Sequence, residues 1–93
     1  MNRISTKDLE AVVSRINAAT KSPQHPYVKN GDKYAAQIGC YHLSGAYGGY
    51  ALHQMVNDGG GVRDVFCGHI PKRDLYERMH AFLRGIDAIR KTA

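Results

Sequence analysis

Two Cys-x-His pairs, Cys40-Tyr41-His42 and Cys67-Gly68-His69, are the first residues in this chain whose types and spacing could hold chemistry. Alternate residues on a strand face the same way, so each pair could present a thiolate and an imidazole together, and Cys₂His₂ is a donor set that zinc accepts. The expected topology works against a shared ion. In an antiparallel meander the first and third strands lie about 10 Å apart across the second, and the usual C-x₂₋₄-C spacing is absent. Cys40, His42, Cys67 and His69 are therefore read as buried thiols and partly exposed imidazoles before they are read as ligands, and no metal or cofactor is expected. Thiol catalysis needs more than a neighbouring histidine, and the sequence offers neither an electropositive turn to lower a thiol pKa nor a third orienting group. Paired carboxylates for acid–base work are missing too, because residues 34–62 contain only one acid, Asp58. No catalytic residue is expected.

The most unusual stretch is Tyr41-His42-Leu43-Ser44-Gly45-Ala46-Tyr47-Gly48-Gly49-Tyr50-Ala51-Leu52-His53, with tyrosines and histidines around a glycine-rich turn and no formal charge. Tyrosine rings supply large contact area at low entropy cost and can stack on bases. They can equally pack over a thin sheet whose glycines permit twist. The glycines do not form a phosphate loop, since no Lys-Ser/Thr follows them and no helix begins there. Candidate contact residues are Tyr41, Tyr47, Tyr50 and His53, with Arg63, Lys72 and Arg73 supplying positive charge. Arg73, His80, Arg84 and Lys91 make a basic stripe at helical spacing, but Glu77 and Asp87 sit four residues from Arg73 and Lys91, as on an ordinary solvated helix.

These residues must be positioned by a small set of elements. Ser5, with Asp8 three residues on, starts a helix over about 5–19 whose apolar stripe is Leu9, Val12, Val13 and Ile16. Ser22-Pro23, His25-Pro26 and Asn30-Gly31 mark residues 20–33 as a linker. Strands are expected over about 34–43, 47–56 and 62–67, separated by Ser44-Gly45-Ala46 and by Asn57-Asp58-Gly59-Gly60-Gly61. Pro71 opens a second helix over about 72–90, with Leu75, Met79, Phe82, Leu83 and Ile86 as its stripe, continued by Ile89. The fold class that follows is α+β: a single domain of order α-β-β-β-α, with a three-stranded antiparallel meander and both helices on one face.

Composition bounds the rest. The chain has 93 residues and a net charge of +5, distributed as +3 over residues 1–33, −1 over 34–62 and +3 over 63–93. That length suits one domain with a thin core. No apolar run is long enough to span a membrane, and the first residues lack a signal peptide's apolar stretch, so a cytoplasmic protein without membrane partners is expected. Two cysteines do not make a disulfide framework.

At Tyr41–Gly49 and at Lys72-Arg73-Asp74-Leu75-Tyr76-Glu77-Arg78 the chain resembles small proteins encoded by tailed bacteriophages of proteobacteria, a family without an assigned activity. The resemblance covers most of the chain from Ile4 onward. It implies phage accessory biology in the host cytoplasm and carries over no catalytic residues. The element order is also similar to that of the double-stranded RNA-binding domain, in which a basic cluster at the entrance of the second helix meets phosphates; Lys72 and Arg73 stand in the comparable place, followed by Asp74. The expected function is a small non-catalytic binding protein that engages a host or phage macromolecule, most readily a protein. The alternatives are a nucleic-acid module using the basic second helix, and capture of a small nucleotide or other ligand at the Tyr/Gly turn. An uncovered apolar sheet face would favour a homodimer.

Overall fold

The computed structural model describes residues 3–66 and 68–92. Helix α1 spans Thr6–Ala19. Its start is the expected capping box: the Asp8 N–H donates to Ser5 Oγ at 3.1 Å, and the Ser5 N–H donates to Asp8 Oδ2 at 2.8 Å. At the other end Lys21 takes a left-handed φ of 57°, and the Ser22 N–H turns back to the Asn17 carbonyl.

The segment expected to be a linker is partly a ribbon. Strands β1 (Tyr27–Asn30) and β2 (Lys33–Ala36) pair antiparallel across a Gly31-Asp32 turn, with Gly31 at a φ of 67°. The turn signal at Asn30-Gly31 is real, but it closes a hairpin rather than loosening a linker. The expected strand over 34–43 divides for the same reason: its first residues complete this ribbon and its last enter the main sheet. Gly39, at a φ of 93°, lies between them.

The main sheet has the order β3-β4-β5, formed by Tyr41–Ala46, Gly49–Met55 and Val62–Asp64. Its first turn is Tyr47-Gly48, not Ser44-Gly45-Ala46, which lie within β3 opposite Ala51, Tyr50 and Gly49. Both central residues have positive φ, 54° and 73°, as a type I′ hairpin requires. Strand β5 is shorter than expected, yet the chain continues beside β4: the Val65 N–H reaches the Leu52 carbonyl, and Tyr50 and Ile70 exchange two backbone hydrogen bonds. Gly49 permits that approach, since a Cβ there would lie 2.9 Å from the Ile70 carbonyl oxygen.

Helix α2 (Lys72–Thr92) follows Pro71. Leu75, Met79 and Leu83 meet Leu9, Val12, Val13 and Ile16 of α1, and Tyr41 and Leu52 close the core from the sheet, so both helices cover one sheet face. The apolar stripe of α2 stops earlier than expected, because Ile89 is 70% exposed. No helix among the described residues is long and apolar enough to cross a membrane.

Candidate binding surface

The pleat sorts the candidate residues. Tyr41, Leu43, Tyr50 and Leu52 point to the helices, while His42, Ser44, Ala51 and His53 point to the opposite face. Tyr41 is therefore a core residue and not a contact: it is 7% exposed, with its ring edge-on to Phe82 at 5.9 Å. Tyr50 also lies on the helix side, where its ring covers Gly45, its hydroxyl stands 3.4 Å from Thr6 Oγ1, and the Lys72 ammonium lies 5.8 Å from the ring centre. Arg63 is exposed on β5 and donates through Nε to Gln54 Oε1 at 2.8 Å. Arg73 is exposed in the first turn of α2. The pleat thus separates Tyr50, with the Lys72 it holds, from His53 on the opposite face, and the expected contact residues do not form one patch.

On that opposite face a row of rings is assembled. His42 packs edge-on to His53 at 5.8 Å, His53 to His69 at 6.0 Å, and His69 to Tyr47 at 5.8 Å. Ala51, on the same face, is fully buried. Two hydrogen bonds fix the row: His53 Nε2 lies 2.8 Å from Asp64 Oδ1, and Ser44 Oγ lies 3.1 Å from His69 Nε2. The carboxylate thus serves a different imidazole from the one beside the serine, so these groups do not line up as a serine–histidine–carboxylate relay. Burial holds the His42 imidazole below its ordinary range, the Leu43 carbonyl opposes that shift, and the positive form of His53 reinforces it.

Tyr47 ends the row at the hairpin tip, 97% exposed and in a left-handed backbone that a bulky residue rarely adopts. Its ring is presented to solvent, packed edge-on to His69.

Of the two Cys-x-His pairs, Cys40, His42 and His69 lie within the described residues. Cys40 is buried, its thiol donates to the Tyr41 carbonyl at 3.4 Å, and burial pushes its pKa up, which disfavours the thiolate. His42 and His69 belong to the ring row instead, and Cys67 lies outside the described residues. Among the described residues no three His, Cys, Asp or Glu side chains are arranged to hold a metal ion.

Two features escaped the pattern of the sequence. The β1–β2 ribbon exposes Tyr27, Val28 and Tyr34, with Ile38 just beyond it, and its Lys29 stands directly opposite Tyr34. The Asn30-Gly31 dipeptide between residues of high β propensity was the available signal. His80 leaves the expected basic stripe: it is half-buried, packed on Tyr76 at 4.4 Å, and held below its ordinary pKa by burial and by Arg15 and Arg84.

No family model matches the chain, and searches of curated proteins and of solved structures also find no match.

Proposed function

We propose that this α+β domain is a non-catalytic binding protein, of phage accessory type, that engages a host or phage protein through its two hairpin projections. The observation that carries this reading is Tyr47: a large ring, almost wholly exposed, held at a φ of 54° where glycine or asparagine would be less strained. A hairpin optimised only for stability would not keep tyrosine there. Exposed aromatics of this kind are the usual anchors of protein interfaces. The ribbon adds Tyr27 and Tyr34 as a second set of anchors.

The test is Tyr47→Asn. Relief of the left-handed strain predicts a fold more stable by up to about 1 kcal/mol, while a defined complex from host lysate, insensitive to nuclease, is lost or weakened. A variant that is more stable and binds equally well would refute the reading.

A second reading, nucleic-acid binding, is favoured by Lys29 and Lys33 on the ribbon beside Tyr34. It predicts affinity that falls steeply with salt, with the log–log slope reduced by about 0.9 for each of Lys29→Ala and Lys33→Ala if each lysine meets one phosphate.

A further inference from the structure

Strand β3 is an edge strand whose outer side is treated in two different ways. At Tyr41 the edge is closed by a side chain: the Asn17 amide donates through Nδ2 to the Tyr41 carbonyl at 3.0 Å, and its Oδ1 accepts the Tyr41 N–H at 2.8 Å. Asn17 occupies the place that a neighbouring strand would take. The next outward-facing backbone groups, those of Leu43 and Gly45, have no backbone partner on that side among the described residues. The edge also lacks the usual protections, for residues 41–46 contain no lysine, proline or other charged side chain.

Beside this edge lies a cleft of about 480 Å³ between α1, the 24–26 turn and β3. Its far wall is built, since Ser14 Oγ donates to Gln24 Oε1 at 3.1 Å and Gln24 Nε2 donates to the Ser14 carbonyl at 3.0 Å. The volume falls within the range of small-ligand sites. The lining carries one carboxylate, Glu10, and no lysine or arginine. A donor and an acceptor spaced as backbone groups and a carboxylate at the wall together match a polypeptide backbone with a cationic side chain.

We propose that this cleft receives an extended peptide segment bearing a lysine or arginine, which adds to the outer edge of β3 as a further strand. Main-chain bonds to Leu43 and Gly45 continue the ladder that Asn17 begins, and Glu10 receives the basic side chain. The inference rests on the reading of a protein partner, and it goes beyond the hairpin contacts by naming a second site and the chemistry it takes.

The experiment is selection of a random linear heptapeptide library on the intact protein, followed by amide exchange measurements with the enriched peptides. Enriched sequences are expected to carry Lys or Arg and to slow exchange at the Leu43 and Gly45 amides. N-methylation of the peptide at the backbone positions that face β3 should abolish binding. Glu10→Gln should weaken binding about two- to fivefold, and Glu77→Gln, which removes an exposed carboxylate outside the cleft, should leave it unchanged. No enrichment, or binding indifferent to both N-methylation and Glu10→Gln, overturns the proposal. Peptides that instead protect amides of the Tyr47 hairpin or the β1–β2 ribbon overturn the cleft while leaving the protein-partner reading intact.

Discussion

Replacing Asn17 with alanine or leucine should be among the most damaging single changes in the chain, although both substitutes are better helix formers. Asn17 is 1% exposed, and its amide satisfies both backbone groups of Tyr41, itself in the core. Removing it leaves a buried N–H without a partner, at about 1–3 kcal/mol, and a buried C=O with only the weaker bond from the Cys40 thiol, at a smaller cost. Asn17→Ala opens space continuous with the cleft, where water can take up part of that loss; Asn17→Leu fills the space and excludes water. The expected costs are therefore about 2–3 kcal/mol for alanine and about 3–5 kcal/mol for leucine. At about 0.05–0.15 kcal/mol per residue, a domain of this length has only about 5–14 kcal/mol in total. Urea unfolding at pH 7 measures the change, and the alanine variant should melt about 10–20 °C lower. Asn17→Asp adds a diagnostic: its carboxylate still accepts from the Tyr41 N–H but repels the Tyr41 carbonyl, so its deficit should shrink as pH falls and the acid becomes a donor. Ser14→Ala, which removes one exposed bond, is the control and should cost under about 0.5 kcal/mol. If both Asn17→Ala and Asn17→Leu cost less than about 1 kcal/mol, the amide is not what completes the edge of β3 and the reasoning fails.

The other expectations are narrower. His42 and His80 are both held below the ordinary imidazole value of 6.5 by burial, so the unfolded chain binds more protons than the folded one. Stability should thus be fully present above about pH 6.5 and decline as pH falls from there through the folded values; urea midpoints from pH 7.5 to 5 should show it, and His42→Gln with His80→Gln should flatten the profile. A flat profile in the parent protein refutes the account. Gly49→Ala places a methyl group 2.9 Å from the Ile70 carbonyl oxygen and should cost about 1–3 kcal/mol, with faster exchange at the Tyr50 and Ile70 amides. Unchanged exchange at those two amides would show that the strands part without loss.

The sequence by itself determined the two helices and the class of fold. Ser5 and Asp8 specify the start of α1 through bonds that span only three residues, and the stripes from Leu9 to Ile16 and from Leu75 to Leu83 report helical burial through a period set by local geometry. A three-stranded antiparallel sheet between the helices followed from turn chemistry of the same local kind, but the β1–β2 ribbon and the place of the first turn in that sheet did not. Tertiary structure alone decided which residues of the Tyr/Gly segment are available. The turn at Tyr47-Gly48 instead of Ser44–Ala46 sets the register of the β3–β4 pair, and a shift of one residue exchanges core and surface along a whole strand. That choice sends Tyr41 into the core, gathers His42, His53 and His69 on the other face, and leaves Tyr47 at the tip. Asn17 was illegible for a related reason: a lone polar residue beside an apolar stripe has no local signature, and its two bonds reach across 24 residues to an edge that exists only once the sheet has formed. Local patterns encode what neighbours in sequence can satisfy, whereas register and edge closure depend on groups that meet only in the folded chain.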